Sequence, residues 1–156
     1  MRRLATWLMA GALVAAGATT VVAKSGNFRT HLSGDEEVPA VVTGAQGQAT
    51  FKLSADGQSI TYKLNVANIE DVTQAHIHVG AQGVNGPIVA FLFGLVPDPG
   101  VDVNGRLASG SIDAGDLIGP LAGHLLGDLM AAVESGGAYV NVHTVAHRGG
   151  EIRGQL

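Results

Sequence analysis

The chain has 156 residues, among them 23 glycines, six histidines and no cysteine, with four Phe, two Tyr, one Trp and a formal charge of −4. That length allows one domain, and 46% hydrophobic against 14% charged residues excludes a disordered acidic solvator. The missing cysteine excludes disulfides, thiolate zinc sites, iron–sulfur clusters and thiol nucleophiles, so any metal chemistry rests on histidine and carboxylate.

Met1-Arg2-Arg3 is followed by an uncharged apolar run over residues 4–23, the pattern of a secretory signal. Val21 and Ala23 are the small residues that precede a cleavage point after Ala23, which leaves residues 24–156 as the mature domain, secreted or periplasmic. A retained membrane anchor is the alternative, weakened by the glycines and threonines within the run. Losing Arg2 and Arg3 with the signal takes the formal charge from −4 to −6. No basic cluster then remains to neutralise phosphates, which argues against nucleic acid and, after cleavage, against an anionic membrane surface as partner.

Strand signals follow in order. Residues 28–33 form the first. Over 47–53, Ala49, Phe51 and Leu53 alternate with polar residues, and over 59–66 Ile60, Tyr62, Leu64 and Val66 do the same. Asp56-Gly57 between them is a hairpin turn. Further strands are expected at 72–79, 88–93 and 105–112, then at 138–144 and 151–156, separated by Asn-Gly-Pro, Pro-Asp-Pro-Gly and Asn-Gly turns. Leu125, Leu126, Leu129, Met130 and Val133 recur at three- and four-residue spacing, so one short helix is expected near 125–134, stopped by Gly136-Gly137 and closing an edge or end of the sheet. Eight short strands and one helix describe an all-β chain, a β-sandwich or Greek-key barrel.

His76 and His78 lie two apart in a strand, which puts both rings on one face, roughly 6.5–7 Å apart along the chain. His143 shares a strand face with Tyr139 and Asn141 and is a third candidate ligand. Three imidazoles suit copper or zinc; the structural alternative is strand histidines that simply donate to backbone carbonyls. His31, His124 and His147 carry less information. Asp35-Glu36-Glu37 reads as a solvated turn, and Glu70 and Asp71 stand too early in their strand to join the histidines. Neither a Gly-x-Ser-x-Gly elbow nor a phosphate loop occurs.

Taken in order, five pieces carry a family resemblance. They are Leu32-Ser33-Gly34-Asp35-Glu36-Glu37-Val38-Pro39, Tyr62-Lys63-Leu64-Asn65-Val66, Ala75-His76-Ile77-His78, Tyr139-Val140-Asn141-Val142-His143-Thr144 and Gly150-Glu151-Ile152-Arg153-Gly154-Gln155-Leu156. The chain resembles the chordin-type (CHRD) domain from about Phe28 to Leu156, departing at Ala40 and at His147-Arg148, where the family often has proline. The resemblance implies an immunoglobulin-like β-barrel of the kind seen in copper–zinc superoxide dismutases. It also implies an exported, non-enzymatic binding or structural module whose partner is an extracytoplasmic protein or matrix component. The alternative it offers is a copper- or zinc-binding protein, with His76, His78 and His143 resembling the dismutase copper ligands; fold likeness alone carries no activity. Arg153 is expected to tie the chain ends together by reaching Glu37 or a loop carbonyl.

Overall fold

A computed structural model describes residues 26–156, and the expected signal segment at 1–23 lies outside the described residues. The chain runs β1 (Asn27–Ser33), β2 (Gln46–Leu53), β3 (Ile60–Val79), β4 (Ile88–Phe93), β5 (Val101–Ile112), α1 (Leu126–Glu134), β6 (Ala138–Thr144) and β7 (Ile152–Gln155). All strand pairs are antiparallel, and the pairings β1–β2, β2–β3, β3–β6, β6–β7 and β7–β1 close a five-stranded barrel. β4 and β5 are extra strands, each hydrogen-bonded to β3. The all-β barrel with one short helix matches the expectation from strand pattern.

One expected boundary is corrected. Residues 59–66 and 72–79 are not two strands but the two halves of β3, a single 20-residue strand. Its first half pairs with β2 and β5, and its second with β6 and β4. Between the halves, Asn68 (φ 55°) and Asp71 (φ 52°) take left-handed conformations, and the register against β5 shifts at both places. Asn and Asp tolerate that region better than other side chains, so the polar stretch that resembles a loop is a pair of bulges that bend one strand. The β2–β3 hairpin forms as its sequence dictates: Asp56 Oδ1 accepts from Ser54 Oγ at 2.6 Å and from the Gln58 N–H at 3.1 Å, and Gly57 takes φ 71°.

Strand alternation divides the wall into two chemistries. Ala75 and Ile77 of β3, Val140 and Val142 of β6, and Ile152 of β7 belong to the buried apolar core. The residues between them, His76, His78, Tyr139, Asn141, His143 and Arg153, therefore point to the other face. α1 closes one end of the barrel: Leu129, Met130 and Val133 meet Phe28, Phe51, Ile60, Ile77 and Leu156. The helix ends at Ser135, whose N–H donates to the carbonyl of Ala131, and Gly136 follows at φ 69°.

Candidate metal centre

Loops cover the outer face of the β3–β6–β7 wall and bury what lies on it. The Arg153 guanidinium, 1% exposed, donates to Asn85 Oδ1 and to the carbonyls of Ala81 and Val84 at 3.1–3.2 Å. Its Cζ stands 3.4 Å from the centroid of the Tyr139 ring. Asn85 Nδ2 donates in turn to the carbonyl of Val38 at 2.6 Å, joining this loop to the segment after β1. Glu151 accepts from Thr43 and Thr144 hydroxyls, both at 2.7 Å. The expected role of Arg153 thus holds for the loop carbonyls, whereas no ion pair within 4 Å joins it to Glu37 among the described residues.

Beneath these loops His76, His78 and His143 meet, as the sequence spacing places them. They are 0%, 7% and 6% exposed, and one nitrogen from each ring lies within 4.8 Å of the other two. The outer nitrogens of two rings are fixed by backbone. His78 Nδ1 donates to the carbonyl of Gly86 at 2.8 Å and His143 Nδ1 to that of Arg148 at 2.9 Å. In a neutral imidazole this leaves Nε2 of both as a lone-pair donor, the arrangement that fixes tautomer and ring orientation at metal sites. His76 Nδ1 is 3.1 Å from His143 Nε2. The Nε2 atoms of His76 and His78 are buried without a hydrogen-bond partner.

Burial holds these imidazoles neutral. Desolvation, with the neighbouring His143 and His78 adding to it, pushes His76 down to about 3. Desolvation also lowers His78 and His143, against the carbonyl hydrogen bonds that raise them. Neutral imidazole is the form that ligates a metal. His78 stacks on Tyr139 with centroids 4.7 Å apart, and Phe91 sets its ring edge-on to His76 at 4.5 Å and 87°. Phe91 is itself 44% exposed, so a single aromatic ring separates His76 from solvent on that side.

The sequence pattern missed two participants. Asn141, 3% exposed, brings Oδ1 within 3.0 Å of His143 Nε2, so two acceptor atoms face each other. Its alternation with Tyr139 and His143 places it on their face but does not mark it as part of a site. Glu37 corrects the solvated-turn reading: Asp35 and Glu36 are exposed, yet Glu37 is 6% exposed beside Asn141. The short 3₁₀ turn Gly34–Glu36 directs it inward, with the Glu37 N–H donating to the carbonyl of Gly34 at 3.1 Å. Desolvation raises its carboxyl to about 7, opposed first by the charge of Arg153. The other histidines stand apart. His124 pairs with Asp128 on the surface at 3.1 Å, His31 is exposed on β1, and His147 lines a separate cleft with Glu70, Asp71 and Asp102.

Fold and site together define a class, a closed β-barrel that carries a cluster of three neutral histidines on the outside of its wall. The chain belongs to the CHRD domain family, whose model matches residues 28–156. No curated protein and no solved structure matches it.

Proposed function

We propose that the protein is an exported, non-enzymatic CHRD-domain module that holds one copper ion through His76, His78 and His143. The observation that carries this reading is the convergence of three buried imidazole nitrogens within 4.8 Å, two of the rings oriented by backbone carbonyls. Within the cluster, Nε2 of His76 and of His78 are buried without a hydrogen-bond partner, which fits a metal site better than a finished hydrogen-bond network. All three donors are neutral nitrogen, a set that suits imidazole-loving copper, and a site of given nitrogen ligands binds divalent copper more tightly than zinc. Enclosure favours holding the ion over turning over a substrate, because the rings are at most 7% exposed. Export rests on the N-terminal pattern, and outside the cytoplasm the module's partner is a protein or matrix component.

Metal analysis after reconstitution tests the reading. The protein offered copper and zinc together should retain about one equivalent of copper, and the His76→Ala/His78→Ala double variant should retain none. Absence of bound copper in the wild-type protein, or equal retention by the double variant, overturns it.

A further inference from the structure

Glu37 is the one carboxyl buried beside the histidines that has an oxygen, Oε1, without a hydrogen-bond partner among the described residues. An unpartnered buried carboxyl is destabilising unless something nearby favours its charge. Arg153 does so only at a distance, since its guanidinium is committed to Asn85, Ala81 and Val84. Glu151, the other buried acid, has both oxygens engaged by threonines.

What lies next to Glu37 is Asn141. Asn141 Nδ2 and Glu37 Oε1 both lie against Gly150, and Asn141 Oδ1 sits 3.0 Å from His143 Nε2. The space for this arrangement is made at Gly150, which takes φ 126°. A Cβ there would overlap Glu37 Oε1 and come within 2.8 Å of Asn141 Nδ2. With Nδ2 turned toward Glu37, the Asn141 carbonyl oxygen is turned toward the histidines. Two lone pairs facing each other at 3.0 Å repel, and a cation among them converts the repulsion into attraction.

Resting on the copper reading above, we infer that Glu37 is a positioning residue and built-in counter-charge. Acting through Asn141, it aims a carbonyl oxygen at the centre and makes it prefer divalent over monovalent copper. Three imidazoles bring no charge, so a divalent ion leaves two positive charges in a dry site beside Arg153. One carboxylate offsets more of that burden for a divalent ion than for a monovalent one, because the attraction scales with the ion's charge.

The test compares Cu(II) and Cu(I) affinities, each by competition with a chelator for that oxidation state, together with the reduction potential of the bound ion. In Glu37→Gln, which keeps the shape and loses the charge, the Cu(II)-to-Cu(I) affinity ratio should fall about tenfold or more and the potential should rise. Asn141→Ala, which keeps the charge and removes the relay, should lower the ratio as well, and it supplies the same readout should Glu37→Gln fail to fold. An unchanged ratio and potential in a folded, copper-loaded variant overturns the inference while leaving the copper reading intact. A wild-type protein that binds neither ion overturns the copper reading itself.

Discussion

Glu37 and His76 are driven in opposite directions by one cause. Burial favours the neutral form of each, so the carboxyl rises to about 7 and the imidazole falls to about 3. For Glu37 the unfolded chain titrates near the ordinary 4.5. Its stabilising contribution is complete below that value and is lost as pH climbs through 7. For His76 the unfolded chain titrates near 6.5, so the folded state is favoured above that pH and loses ground as pH falls toward 3. Metal-free Glu37→Gln should accordingly exceed the wild type in stability at pH 8, on the order of 2 kcal/mol, with the gap closing by pH 4.5. Urea denaturation at the two pH values measures it, and a gap that persists at pH 4.5 would contradict a neutral buried Glu37. At this scale the histidines were legible because strand period two is a strict rule, fixing His76 with His78 and His143 with Asn141 on their faces. Glu37 was not. Three consecutive acids before Val-Pro look like a solvated turn, and which of them turns inward depends on one 3₁₀ turn that no periodicity reports.

Among the elements, β3 departs most from its sequence pattern. Glu70-Asp71 interrupts the apolar alternation and separates the two strands expected at 59–66 and 72–79, yet ladder hydrogen bonds to β5 continue on both sides through shifted register. The bend depends on backbone freedom rather than on burial, since Asn68 and Asp71 are both exposed. Asn68→Val puts a β-branched residue at φ 55° and should cost about 1–2 kcal/mol, whereas Asn68→Gly should be nearly neutral. Paired denaturation curves decide it, and equal losses in both variants would point to the Asn68 side chain, which donates to the carbonyl of Gly44 at 3.4 Å, instead of its backbone. The remaining strands and α1 were readable to within a few residues because alternation and three-to-four spacing each report a single buried face. β7 shows the limit: of the expected 151–156 only Ile152–Gln155 are strand, although the Glu151 and Leu156 N–H groups still donate to the Val142 and Ala138 carbonyls of β6 at 2.8 and 2.9 Å.

Considered whole, the molecule keeps its apolar core and its histidine cluster on opposite faces of one wall, so an ion held as proposed would brace the same strands that the core braces from the other side. Copper present at about a hundred times its dissociation constant should raise the melting temperature by roughly 5–10 °C, an increment abolished in His76→Ala/His78→Ala. Calorimetry with and without the ion checks this, and an equal rise in the double variant would place the ion elsewhere.

Closure of the barrel also sets an order in time. β7 pairs with both β1 and β6, and the same four-residue strand carries Arg153, which gathers the loop over the histidines. A chain emerging from its N-terminal side can form the β1–β2–β3 meander early. It has neither a closed wall nor a roofed cluster until residues 152–155 have appeared. On the copper reading proposed above, capture of the ion would be deferred to the last step of assembly, and a chain interrupted before β7 should fail to hold copper.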